Sequence, residues 1–123
     1  MTTAKILVVD DDLNLPILMK ALLERAGYQV MLASGGEEAL ARAAAVEPDL
    51  AIVDLRMPGM DGLTLLAHLL RLHPELPVLM LTAHGTVPQA VEAMQKGAYD
   101  FLTKPFDSAD LLTRMRRRWR CSG

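Results

Sequence analysis

Only one cysteine, Cys121, occurs in the 123 residues, so no disulfide can form within the chain. A stapled secreted scaffold is excluded, and a reducing compartment is the natural one. Aromatic residues are also scarce: one Trp, two Tyr and two Phe. With 51 % of residues apolar, the core must be built from Leu, Val, Ile, Met and Ala. No apolar run approaches the ~20 residues a membrane helix needs. The start of the chain has no secretory pattern, because Lys5 is followed by four apolar residues and then by acid. A soluble, cytoplasmic protein is expected. The formal charge of −2 is too small to imply a nucleic-acid or membrane partner by itself. The length fits one domain of ~100–150 residues, and residues 1–123 are expected to form a single one.

Three short runs are continuously apolar: residues 6–9, 50–53 and 78–81. Runs of that length suit strands covered on both faces, as in parallel sheets. Residues 29–33 and 100–103 are more mixed, as sheet edges tend to be. Between them lie helical spacings. Leu15, Leu18, Met19 and Leu22 fall at i, i+3, i+4 and i+7. Leu63, Leu66, Ala67 and Leu70 do the same, as do Val87, Ala90, Val91 and Met94. Each set predicts one apolar stripe. Ala39, Leu40, Ala43 and Ala44 mark a smaller helix, and Leu111, Leu112, Met115 and Trp119 the last. Gly27 and Gly97 sit where helix C-terminal glycines belong. Asp12 or Asn14 can cap the first helix, and Pro16 fits only its first turn. Strand–helix alternation repeated five times gives right-handed βαβ units and a parallel sheet with helices on both sides. The expected fold is α/β, a flavodoxin-like three-layer (βα)5 sandwich with strand order 2-1-3-4-5.

Ligands of such sheets bind beyond the carboxyl ends of the strands, at the switch in strand order. The first strand delivers Asp10, Asp11 and Asp12 there, the third Asp54, the fourth Thr82 and the fifth Lys104. Carboxylates gathered in one cleft repel and raise one another's pKa. A hard divalent cation removes that cost, and an all-oxygen site suits Mg²⁺ or Ca²⁺. Mg²⁺ keeps waters and often shares ligands with a phosphate. Each residue also has a plainer role. The acidic triplet can be a solvated loop with a helix cap, Lys104 a solvated strand end and Thr82 a satisfied hydroxyl in a turn.

Four segments then carry a resemblance. They are Val8-Val9-Asp10-Asp11, Asp54-Leu55-Arg56-Met57-Pro58-Gly59-Met60-Asp61-Gly62, Leu81-Thr82-Ala83 and Lys104-Pro105-Phe106. In order and each at a strand end, they resemble the response-regulator receiver domains of bacterial two-component systems. The resemblance runs from Lys5 to about Arg118. It implies that Asp54 is the phosphoacceptor, served by a sensor histidine kinase. It implies that Asp10, Asp11, Asp54 and the backbone carbonyl of Arg56 hold Mg²⁺. Thr82 and Lys104 would contact the phosphoryl group, and small Ala83 would leave it room. Phe101 would be the aromatic switch residue, without the hydroxyl that a Tyr would bring. Arg56 and His84 hold the positions that tune phosphoryl lifetime, although for His84 a solvated loop histidine is the plainer reading. The Lys104–Pro105 bond is typically cis in this family.

The stretches 82–88 and 97–107 resemble receivers of enhancer-binding transcription activators, which carry an ATPase and a DNA-binding domain after the receiver. The chain is thus expected to be the N-terminal part of a longer regulator, with a stand-alone receiver as the alternative. A homodimer through the fourth helix, fifth strand and fifth helix is a further expectation. The basic end, Arg114 to Arg120, reads as a helix C-terminus or a linker rather than a nucleic-acid contact. A small phosphohydrolase of the haloacid-dehalogenase type leaves the 54–62 loop unexplained. A flavin module would need a phosphate cradle where three aspartates stand. An inactive receiver is disfavoured because all five site residues are present.

Overall fold

The computed structural model describes residues 3–12, 14–57, 59–83 and 87–122, with side chains except at Ala83, Val87 and residues 118–122. Among them, strands and helices alternate as β1 (Lys5–Val9), α1 (Leu15–Arg25), β2 (Gln29–Ala33), α2 (Gly36–Ala45) and β3 (Leu50–Asp54). The second half continues with α3 (Gly62–Leu72), β4 (Val78–Ala83), α4 (Val87–Gln95), β5 (Asp100–Lys104) and α5 (Ser108–Ser122). The sheet is parallel throughout, in the order β2-β1-β3-β4-β5. The three continuously apolar runs are its three central strands, and the two mixed ones are its edges.

Side chains alternate across a strand, and the core divides accordingly. Leu7, Val9, Ala51, Val53, Val78 and Met80 face α2, α3 and α4. Ile6, Val8, Leu50, Ile52, Leu79 and Leu81 face α1 and α5. Burying each of the Leu, Ile, Val and Met side chains among them stabilises by roughly 1.5–3 kcal/mol. Both faces are therefore closed by helices, which is the three-layer sandwich expected.

The helix ends follow their local chemistry. Gly27 and Gly97 have φ of +101° and +109°. After α1, Tyr28 N–H donates to Leu23 C=O and Gly27 N–H to Glu24 C=O, the Schellman pattern. After α4, Ala98 and Gly97 repeat it on Ala93 and Met94. Asn14 holds the N-cap position of α1 but makes no side-chain cap bond. Asp12 caps instead, its Oδ1 accepting from the N–H groups of Asn14 and Leu15. Those two donors hold its carboxyl below the usual aspartate range.

Three helix stripes are rotated from expectation. In α1 the buried residues are Pro16, Met19 and Leu23, while Leu18 is 66 % exposed. In α3 they are Gly62, Leu65, Leu66 and Leu69, and Ala67 is exposed. In α4 Ala90 and Ala93 are buried, whereas Val91 and Met94 are exposed. The first two helices are apolar on nearly every face, so spacing alone cannot choose the phase. In α4 the small alanines let the helix lie close to the sheet, and the large side chains turn outward. In α2, Ala39 and Ala43 are buried but Ala44 is exposed.

Candidate functional site

β1 and β3 are neighbours on opposite sides of the reversal in strand order, so their carboxyl ends open into one crevice. Asp10, just past β1, is 2 % exposed, and Asp54, the last residue of β3, is 7 % exposed. Asp11 is exposed beside them. One carboxylate oxygen from each of Asp10, Asp11 and Asp54 lies within 4.8 Å of the others. Lys104, ending β5, reaches across: its Nζ is 3.1 Å from Asp10 Oδ2 and 3.2 Å from Asp54 Oδ2. Main-chain donors complete the cluster. Asp12 N–H donates to Asp10 Oδ1 at 2.9 Å, and Arg56 N–H to Asp54 Oδ1 at 3.2 Å.

The electrostatics follow from this packing. Burial first, and the Asp10 charge next, push the Asp54 carboxyl above its ordinary pKa; Lys104 and the Arg56 amide act against them. Burial pulls Lys104 down, but Asp54 and Asp10 outweigh it, and the ammonium ends above its ordinary pKa. Against two buried acids and one exposed acid stands a single ammonium, so the cluster still lacks positive charge, and the donor set for a divalent cation is all oxygen. It fits Mg²⁺.

Thr82 stands one residue beyond Leu81, the register partner of Asp54. Its side chain is fully buried, and among the described residues its Oγ1 has no hydrogen-bond partner. A buried hydroxyl without a partner costs about 1–3 kcal/mol. It is the one orphan of this kind among the described residues, and it lies near the carboxyl end of β4, the strand beside the one that Asp54 ends. Strand alternation puts Thr82 on the α2–α4 side, where the half-buried Phe101 also packs.

All five strand-end residues expected at the site are therefore brought to one edge. A family model described as the response regulator receiver domain matches residues 6–116. The chain belongs to the response-regulator receiver family. Among relatives of this receiver, the C4-dicarboxylate transport transcriptional regulatory protein DctD of Rhizobium meliloti is 46 % identical over 113 residues, 92 % of this chain and 24 % of that protein. The DNA-binding transcriptional regulator NtrC of Escherichia coli is 45 % identical over 100 residues, 81 % of this chain and 21 % of its own length. The receiver thus spans about a quarter of the relatives it matches. A crystal structure of NtrX from Brucella abortus in complex with ADP superposes with a TM-score of 0.93 at 37 % identity, covering 98 % of this chain and 28 % of that one. A receiver of this family is a signalling domain of two-component systems.

The receiver's remaining expected features are partly visible. The Lys104–Pro105 bond is cis. The Arg56 side chain is exposed in the loop after Asp54. His84 lies outside the described residues, as do the side chains of Ala83 and Trp119. Among the described residues, no helix is long and apolar enough to cross a membrane.

Sequence reasoning passed over three supports of the site. Asp61 caps α3, its Oδ1 accepting from Thr64 N–H at 2.8 Å. An aspartate just before an apolar periodic stretch was its signal. Gly62 opens α3 against the Asp54 strand end: a Cβ there would stand 2.5 Å from Asp54 O and 2.6 Å from Leu55 Cα. Gly36 leaves room for the Met60 side chain of the same loop. The Gly36 contact joins residues remote in sequence, and no local signal could have found it; that of Gly62 depends on how the 54–62 loop folds back on its own strand end.

Proposed function

We propose that this chain receives a phosphoryl group on Asp54 and uses it to control an output domain. The observation that carries the reading is Lys104 bridging two buried aspartates; the Thr82 hydroxyl, unpartnered among the described residues, lies near the end of the neighbouring strand at the same sheet edge. The cluster has a carboxylate to accept, a cation to neutralise and a free donor for a phosphoryl oxygen.

Asp10, Asp11, Asp54 and the Arg56 carbonyl would hold Mg²⁺, which when bound supplies positive charge to the phosphoryl oxygens. The donor is a phosphohistidine on a sensor kinase. Its P–N bond breaks, an Asp54 Oδ–P bond forms, and the departing imidazole takes up a proton. The transition state spreads charge over the equatorial oxygens, so positioning and neutralisation do most of the work. Lys104 neutralises one oxygen, and the Thr82 hydroxyl donates to another. Water later hydrolyses the acyl phosphate, at a rate tuned by Arg56 and His84. A groove lined in part by Leu15, Leu18, Leu22 and Phe106 opens beside Asp12 and Lys104. Ile17 and Leu18 are 62 % and 66 % exposed next to it, an apolar surface suited to a protein donor.

Phosphorylation adds charge and strong acceptors in the crevice. Thr82 and Phe101 respond, and the face of α4, β5 and α5 shifts between two packings. That face would serve a homodimer or an output module. Similarity to DctD and NtrC supports transcription regulation; on the resemblance to receivers of enhancer-binding activators, ATPase and DNA-binding domains would follow in the same longer chain, acting in the cytoplasm. The domain itself needs no nucleic-acid contact for this role.

The test is incubation with Mg²⁺ and acetyl phosphate followed by intact mass. Wild type should gain one phosphoryl group, and Asp54→Ala none. No gain on wild type, or equal labelling of the variant, would sink the proposal.

A further inference from the structure

β5 is the last strand of the sheet and pairs only with β4. Its outer edge would be left with unpaired main-chain groups, which are costly unless something meets them. At Phe101 two side chains do. The Phe101 N–H donates to Asp100 Oδ1 at 2.8 Å, and its C=O accepts from Arg114 Nη1 at 3.0 Å. The same Nη1 donates to Asp100 Oδ2 at 2.8 Å, closing a ring of contacts around one residue. Arg114 Nε donates to Asp110 Oδ1 one turn earlier on α5. From the other direction, the Tyr99 hydroxyl donates to the Arg114 carbonyl at 3.1 Å. Asp100 and Arg114 thus stand in for a neighbouring strand at Phe101.

The two ion pairs of Arg114 are not equivalent. The Asp100 side chain is 19 % exposed, whereas that of Asp110 is 47 % exposed. The Asp110 contact is an i,i+4 surface pair, of a class that contributes little. The Asp100 contact is shielded and shares its donor with a backbone carbonyl. A planar guanidinium holds several acceptors in fixed relative positions, which a lysine cannot do.

The Phe101 side chain packs on the core shared with α4, while its carbonyl is held from α5. One residue is therefore gripped from both sides of the sheet. We infer that Arg114 is a positioning residue that carries a displacement at Phe101 into helix α5. The inference rests on Phe101 being the residue that responds to phosphorylation. Without the fork, β5 and α5 would move separately.

Amide hydrogen exchange on wild type, R114M, R114K and D110N tests it, first ligand-free and then with Mg²⁺ and beryllofluoride. Ligand-free, R114M should speed exchange over residues 108–117 by roughly fivefold or more, and D110N by less than about twofold. With beryllofluoride, wild type should change over both 100–104 and 108–117. R114M should still change over 100–104 but no longer over 108–117, with beryllofluoride affinity within about threefold of wild type. R114K, which keeps the charge and loses the fork, should follow R114M. Equal responses of both segments in R114M, or a wild-type pattern in R114K, would overturn the inference. A wild type that ignores beryllofluoride refutes the phosphoacceptor reading alone; the ligand-free comparison then decides whether Arg114 ties the strand to the helix.

Discussion

The Lys104 ammonium lies 3.2 Å from Asp54 Oδ2, and no other cationic side chain among the described residues pairs with that carboxylate. Folding therefore favours the charged lysine, and its pKa is raised above 10.5 by Asp54 and Asp10 against the pull of burial. A raised folded pKa means that the stabilisation is complete below about 10.5 and is lost as pH rises through the higher folded value. Lys104→Met should lower metal-free stability at pH 7 by about 1–2 kcal/mol, less than for a fully buried pair because the lysine side chain is 26 % exposed. The difference should shrink in alkaline solution, where wild type loses the same contact. Mg²⁺ should rescue the variant strongly, since its acids then have only the metal as counter-charge. Urea midpoints with and without Mg²⁺ check this, and a variant as stable as wild type without metal would contradict it.

The Asp54 carboxyl stands in the opposite relation to folding. Burial first and Asp10 second raise its folded pKa above 3.8, so the protonated form is favoured by folding. The ionised carboxylate then costs stability at pH values above the folded pKa, and the cost disappears below 3.8, where both states are protonated. Asparagine can still accept from the Arg56 N–H and Lys104 without the charge. Asp54→Asn should thus melt about 2–4 °C higher than wild type at pH 7 without metal. The gap should close on acidification and on adding Mg²⁺, which stabilises wild type preferentially. Thermal scans at pH 4 and 7 measure it; a lower melting point for the variant at pH 7 would count against the crowding of charge.

The sheet was legible because its central strands are unbroken apolar runs and its edges are mixed. Strand ends follow from that, and with them Asp10, Asp54, Thr82 and Lys104. Helix phase was not legible. Eight of the eleven residues of α1 are apolar, so Leu18 fits a stripe as well as Leu23 does. Only the sheet beneath decides that Leu23 is covered and Leu18 is 66 % exposed. The ties around the site were hidden for a related reason. Arg114 reads as one more charge in a basic helix until β5 brings the Phe101 carbonyl within 3.0 Å of it.

Gly62 fixes how closely α3 approaches the acceptor strand. A Cβ at that position would meet Asp54 O at 2.5 Å and Leu55 Cα at 2.6 Å, both main-chain atoms. The Gly62 N–H also donates to Leu55 C=O at 2.9 Å, so the loop cannot simply open. Gly62→Ala should cost about 1–3 kcal/mol despite alanine's better helix propensity. Gly35 is the control. Nothing lies within 4 Å of its added Cβ, and its extended backbone at the α2 N-cap admits serine. Gly35→Ser should be neutral or slightly stabilising. Urea titration should show shifted midpoints at unchanged slope; equal midpoints for the two variants would refute the close approach.

Thr82 separates stability from function most sharply. Its hydroxyl is fully buried and unpartnered among the described residues. Valine fills nearly the same volume and removes the polar atom. Because the hydroxyl finds no partner among the described residues, Thr82→Val should stabilise the resting protein, by about 1–3 kcal/mol. The same change should weaken beryllofluoride binding in Mg²⁺ by roughly tenfold, since one donor to the anion is lost. Thr82→Ser keeps the donor, so it should retain most of the affinity while losing stability to the missing methyl group. A threonine kept for packing alone predicts the reverse order for binding, with Val equal to Thr and Ser worse. Melting curves and fluorine NMR titrations of the three proteins distinguish the two, because only an anion-directed hydroxyl makes the more stable variant the weaker binder.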